Sequence, residues 1–175
     1  MQETTTSTTS PSSVAIRFGL IIGFVSIIYS LILFVTETNT NTTLSWLGMI
    51  IPIVGIVLAY KAFKNENDGY MSYGQGLGIG TLLSAISGIL SGLFTYVYVS
   101  FIDPTVLSRM REMQVLELEK KGMSDEQIEQ AQGMVEKFSG PGMMLVFAII
   151  GGIVIGFIIS LIVAAIMKNN RPEFE

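Results

Sequence analysis

Four long apolar stretches separated by polar segments dominate the pattern of the chain. A helix needs about 20 apolar residues to cross a hydrocarbon core roughly 30 Å thick. Four stretches reach that length, and each predicts one membrane-spanning helix: residues 14–35, 44–63, 74–102 and 143–167. Their charged side chains, Arg17 and Lys61, lie near the ends of spans, so the free energy of insertion favours the bilayer for every stretch.

The connection between the third and fourth spans is charged and has helical periodicity. Asp103 and Pro104 are typical of a helix start, and Ser124 with Gln127 has the spacing of a capping box for a second helix. Each helix carries an apolar stripe, made of Val106, Met110, Met113 and Leu116 in the first and of Ile128, Ala131, Val135 and Phe138 in the second. We therefore predict an all-α fold, an integral membrane four-helix bundle with an extramembrane amphipathic helical hairpin in the loop at residues 103–140.

The two ends of the chain are polar. Residues 1–13 are rich in Thr and Ser, which predicts a disordered tail before a membrane domain at residues 14–168. The first span has no basic residues before it and no small-residue cleavage site after it, so we expect a retained span and not a signal peptide. Residues 169–175 predict a short polar C-terminal tail.

Small residues recur every four positions in the last two spans. In the third span the ridge consists of Gly76, Gly80, Ser84, Gly88 and Gly92, and in the fourth of Ala148, Gly152, Gly156, Ser160 and Ala164. Helices in lipid associate through close packing of small residues, so we predict that the two ridges contact each other. A leucine at Gly88 or Gly156 should then disrupt the pair. Pro52 predicts a kink in the second span.

Hydroxyl groups follow one face of the third span. Ser84, Ser87, Ser91 and Thr95 recur with the period of a helix. Such a face is typical of hydroxyls bonded within or between helices, and it would also fit the lining of a polar path. Ion and proton pathways normally use charged side chains or histidine inside the membrane, and none occurs at mid-span here.

The composition agrees with a membrane protein and excludes several classes of function. Of 175 residues, 50% are hydrophobic and 14% are charged, and the net charge of −4 offers no basic surface for nucleic acid. The chain has no cysteine and no histidine, so thiol nucleophiles, the usual general base and the common zinc ligands are missing. The loop carboxylates lack the spacing of a calcium site. We predict no catalytic residues, no cofactor and no metal.

Three segments resemble a known family. They are the run from Glu66 to Gly80 (ENDGYMSYGQGLGIG), the junction from Phe101 to Pro104, and the capping segment from Gly122 to Glu129. They resemble domain of unknown function 4199, a family of small bacterial membrane proteins, and the resemblance covers nearly the whole chain after residue 13. It implies a four-span protein of a bacterial inner membrane and brings no activity or catalytic residues.

Two hypotheses for the function remain open. The first is a non-enzymatic membrane module whose loop binds a protein partner, with Met110, Met113, Met123 and Met134 as adaptable contacts. The alternative is a small oligomeric transporter or channel that uses the hydroxyl face of the third span. The expected partners are the lipid bilayer and a protein at residues 103–140, and homo-oligomerisation stays open.

The distribution of basic residues predicts the orientation. The connection between the first two spans, residues 36–43, contains no Lys or Arg and should be translocated readily. We therefore expect both termini in the cytoplasm.

Overall fold

A computed structural model describes residues 10–136 and 140–171. Its helices are α1 Pro11–Val35, α2 Thr42–Gly48, α3 Ile50–Asn65, α4 Tyr73–Val97, α5 Thr105–Lys120, α6 Asp125–Glu136 and α7 Pro141–Met167. A π-helical turn, Tyr98–Ile102, extends α4. The described part of the chain is all-α, as predicted.

Four helical stretches are long and apolar enough to cross a membrane. They are Pro11–Val35, Thr42–Asn65, Tyr73–Ile102 and Pro141–Met167. The four predicted stretches are thus confirmed, and each helix begins one to three residues before its predicted start. Pro11 stands at the first helical position, where a missing amide hydrogen costs nothing. The start of the predicted tail, residues 1–9, lies outside the described residues, and so does the end of the C-terminal tail, residues 172–175.

The fourth helix, α4, lies at the centre of the bundle. It packs extensively against α7 on one side and α1 on the other, whereas α3 packs mainly against α1. The starts of α1 and α4 and the ends of α3 and α7 share one end of the bundle, which we name the terminal end. The opposite end, with the α1–α2 connection and α5, is the loop end. The main buried core lies toward the terminal end and includes Ile56, Tyr60, Phe63, Ile79 and Leu83.

The helix of the second span is interrupted at Met49, about a third of the way along Thr42–Asn65. Its first part, α2, ends at Gly48, and α3 begins at Ile50. Pro52 has no amide hydrogen to donate to the Gly48 carbonyl, which removes the bond that would join the two helices. The predicted kink is therefore a break between α2 and α3. The Tyr29 hydroxyl donates to the Leu44 carbonyl at 2.6 Å and ties α2 to α1.

The terminal end is closed by a short backbone pairing. Met71 and Asn169 exchange two N–H···O bonds of 2.8 Å, and the Asn169 side chain also donates to the Gly69 carbonyl. Ser72 and Gln75 form a capping box at the start of α4. These bonds fasten the chain after α7 to the connection between α3 and α4.

The loop contains the two predicted helices, α5 and α6. Ser124 and Gln127 form the second capping box, and Gly122 adopts the positive φ of 75° that ends α5. Val106 and Ile128 are buried, one from each predicted stripe. The two helices contact each other only slightly, so a packed hairpin stays a prediction. Phe138 of the second stripe lies outside the described residues.

Candidate functional site

The ridges of α4 and α7 lie against each other in antiparallel register. Their layers pair Gly76 with Ala164, Gly80 with Ser160, Ser84 with Gly156, Gly88 with Gly152, and Gly92 with Ala148. A Cβ atom added at Gly76 would lie 2.9 Å from the Ala164 Cβ, and one added at Gly156 would overlap the Ser84 side chain. The structure thus brings the ten ridge residues together.

The contact loosens at the Gly88–Gly152 layer. A Cβ atom added at Gly88 would lie 3.8 Å from its nearest neighbour, the Gly152 Cα, which is ordinary van der Waals distance. The ridge pattern made Gly88 and Gly156 equivalent, whereas the structure has room for a Cβ atom at Gly88 and none at Gly156. The loose layer borders a cavity.

This cavity has a volume of about 320 Å³ and lies between α4, α7, α1 and the break in the second span. Backbone and small side chains of α7 form one wall, at Ala148, Gly152, Ile155 and Gly156. Six hydroxyl-bearing residues also line it: Ser26, Ser45, Ser84, Ser87, Ser91 and Thr95. The hydroxyl face predicted on the third span therefore borders a cavity that is open on one side.

The hydroxyls of this cavity differ in their hydrogen bonding. The Ser87 Oγ donates to the Ser84 carbonyl at 3.2 Å, and the Ser45 Oγ donates to the Asn41 carbonyl at 3.1 Å. Ser84 is only 3% exposed, and its Oγ has no hydrogen-bond partner among the described residues. Leaving such a group buried and unpaired costs roughly 1–3 kcal/mol. The Ser84 Oγ faces Gly156 of α7, so it belongs to the contact between the two helices.

A packed layer closes the cavity on the side of the terminal end. Tyr60, Ile79 and Leu83 are fully buried there. Within the same layer, the Ser160 Oγ donates to the Gly156 carbonyl at 2.6 Å, and the Tyr60 hydroxyl lies beside Ser160 without a well-aligned hydrogen bond. The cavity is therefore blind toward the terminal end.

The cavity offers hydroxyls and apolar surface and no charge. Among the residues that the structure describes, no Asp, Glu, Lys or Arg lines it. Within residues 10–136 and 140–171, no group of His, Cys, Asp and Glu side chains could hold a metal ion. The chemistry that this site offers is hydrogen bonding to an uncharged molecule.

Family membership follows from a match over most of the chain. Residues 17–169 match the family described as "Protein of unknown function (DUF4199)", in agreement with the resemblance seen in the sequence. The chain belongs to this family. The matched segment contains every residue that lines the cavity. No curated protein and no solved structure matches the chain.

The loop end of this DUF4199 chain carries a small ion-pair network. The Arg109 guanidinium contacts the Asp103 carboxylate at 2.6 Å and the Glu37 carboxylate at 3.1 Å. Asp103 also accepts a hydrogen bond from the Thr105 amide at the start of α5. Arg109 thereby connects α5 to the segment that leads into α2.

Acidification should remove the stabilising contribution of Asp103. Hydrogen bonds from Thr105 and then Arg109 hold the pKa of Asp103 below its ordinary value of 3.8. A carboxyl with a lowered folded-state pKa stabilises the fold above its unfolded-state pKa, and this contribution is lost as the pH falls through the folded-state pKa. Asp103→Asn should therefore lower the thermal midpoint in detergent near pH 7, and the difference from wild type should shrink below about pH 4.

The matched control for this prediction is Glu119→Gln, which removes an exposed carboxylate elsewhere on α5. A deficit of Asp103→Asn that stays the same from neutral to strongly acidic pH would contradict the role given to the carboxylate.

The four predicted partner contacts do not form one surface. Met110 and Met113 line an open groove of about 420 Å³ together with Leu107, Val135 and Met144. Met134 is 71% exposed on α6, and Met123 lies in the turn between the two helices. Partner binding at this loop stays a prediction.

Proposed function

We propose that this DUF4199 protein is a non-enzymatic membrane module that binds a small uncharged molecule in the hydroxyl-lined cavity. The observation that carries the proposal is the row of hydroxyl-bearing residues on α4, Ser87, Ser91 and Thr95, that lines a pocket between helices that can cross a membrane.

The lining favours a ligand without charge. A charged group in this region would be costly without an opposite charge, and the cavity provides none. Serine and threonine hydroxyls both donate and accept hydrogen bonds, so they suit alcohol, carbonyl and ether groups. The volume of about 320 Å³ lies at the lower end of the range for small-molecule sites.

Binding has more support than transport or partner docking. A path across the membrane would require the layer of Tyr60, Ile79 and Leu83 to separate, because this layer closes the cavity toward the terminal end. Docking at the loop would rest on methionines that the fold distributes over two slightly contacting helices and a turn. The hydroxyl-lined cavity, by contrast, is a single space with six hydroxyl-bearing residues in its lining.

Photolabelling with a diazirine derivative of octanol tests this proposal directly. This probe has one hydroxyl and a short alkyl chain, and labelled peptides of the reconstituted protein are located by mass spectrometry. We expect label on the segment around Ser87 and Ser91. Gly88→Leu should reduce it about tenfold, which corresponds to a loss of about 1.4 kcal/mol in binding free energy, because the leucine occupies the cavity.

Gly151→Leu provides the matched control, because a side chain at Gly151 would meet nothing within 4 Å. It places the same leucine on α7 outside the cavity and should leave the labelling unchanged. Label spread evenly over the exposed apolar faces of α1 and α7, with no response to Gly88→Leu, would overturn the proposal.

A further inference from the structure

We propose that the cavity binds the glycerol end of a neutral lipid of the diacylglycerol class, admitted from the bilayer through a gap between α2 and α7. This inference rests on the proposed function and names the class of its ligand. Three observations carry it, namely the side opening of the cavity, the depth of its hydroxyls and the absence of charge in its lining.

The opening results from the break in the second span. Helix α2 packs against α3 and is tied to α1 through Tyr29, but it makes no extensive contact with α4 or α7. Nevertheless Ser45 and Gly48 of α2 line the same cavity as Gly152 of α7. The wall between α2 and α7 is therefore incomplete, and the gap faces the acyl chains that surround the bundle.

The hydroxyls lie deeper than a charged headgroup would. At a rise of 1.5 Å per residue, Thr95 lies about 10 Å from the loop end of the third span at Ile102, and Ser91 lies about 17 Å from it. Headgroups with a phosphate or ammonium stay near the membrane surface because burying their charge is costly. A neutral lipid has only hydroxyl and ester groups to bury, and such groups can move to this depth.

The lining provides partners for these groups and none for a phosphate. Ser91 and Thr95 present hydroxyls that can donate to ester carbonyls and accept from a free hydroxyl. The charged network of Arg109, Asp103 and Glu37 lies at the loop end and does not line the cavity. A diacylglycerol therefore fits the lining better than the phospholipid with the same acyl chains.

The size of the cavity limits how much of the lipid can enter. A space of about 320 Å³ holds a glycerol backbone but not two long acyl chains. The chains would remain in the bilayer, where Trp46, Leu47 and Ile50 present exposed apolar surface beside the gap.

Competition against the octanol probe tests the lipid class. The full chain is reconstituted in phosphatidylcholine vesicles that contain a small fraction of either dioleoylglycerol or phosphatidic acid with the same chains. We expect dioleoylglycerol to reduce labelling of the Ser87–Ser91 segment about tenfold, equivalent to about 1.4 kcal/mol of preference, and phosphatidic acid to leave it unchanged. Ser45→Trp should weaken the protection, because it places a large side chain at the rim of the gap, whereas Thr43→Trp on the outside of α2 should not.

The possible outcomes separate this inference from the proposed function. If the probe labels the cavity but neither lipid protects it, the lipid assignment is wrong and the binding function stands. Equal protection by phosphatidic acid would also overturn the neutral-lipid assignment, and protection by free glycerol would indicate a water-soluble ligand instead. If the probe does not label the cavity at all, both proposals fail.

Discussion

Gly156→Leu should strongly destabilise the bundle. A Cβ atom at this position would overlap the Ser84 side chain, so α4 and α7 could not keep their present separation. Inserting extra atoms into a packed contact costs about 1–3 kcal/mol, and a whole leucine side chain should reach the upper end of that range. We expect a thermal midpoint in detergent several degrees lower, at about 2–4 °C per kcal/mol for a chain of this size.

Two leucine variants provide the comparison. Gly88→Leu enters the loose layer beside the cavity, and Gly151→Leu points away from neighbouring residues, so both should retain a midpoint closer to that of wild type. If all three substitutions lowered the midpoint equally, the close contact between Ser84 and Gly156 would not be what holds the two helices together.

The architecture was predictable because it depends on one-dimensional patterns. The length of each apolar run determines a span, and the periodicity of small residues in α4 and α7 indicated which faces meet. A capping box spans only four residues, and the one predicted at Ser124 forms. These features depend on the order of residues along the chain and not on contacts between distant segments.

Only part of the cavity lining could be predicted, because a pattern along the chain describes one helix at a time. The period of Ser84, Ser87, Ser91 and Thr95 showed a polar face, but Ser26 and Ser45 belong to other spans and had no pattern of their own. Pro52 was the available signal, since a break in a span opposite a hydroxyl face can leave a space between helices. The difference between Gly88 and Gly156 depends on the distance between helices, which spacing along one chain does not contain.

The segment between the third and fourth spans shows a second limit of prediction from sequence. The sequence identified α5 and α6, because their capping residues and the stop at Gly122 are local. Their arrangement depends on long-range contacts such as those of Arg109 with Asp103 and Glu37, and the latter residue is 72 positions away in the chain. The amphipathic stripes predicted that each of the two helices has a buried face. They did not identify the surface against which that face packs.

Tyr60→Ala should produce the other large loss of stability. The ring is fully buried in the layer that closes the cavity, between α3, α4 and α7. Truncation of a buried aromatic side chain to alanine costs about 3–5 kcal/mol, because it removes packing contacts and leaves a void. The yield of folded protein in detergent and the midpoint of thermal unfolding should both fall sharply.

Tyr60→Phe keeps the ring and removes the hydroxyl, so it tests the contribution of the hydroxyl alone. The hydroxyl has no well-aligned hydrogen bond among the described residues, and removing a buried unpaired polar group is expected to be neutral or slightly stabilising. The phenylalanine variant should therefore unfold at or just above the wild-type midpoint. A loss comparable to that of Tyr60→Ala would mean that the hydroxyl has a partner, with Ser160 as the nearest candidate, and that the layer is held by polar contact as well as by packing.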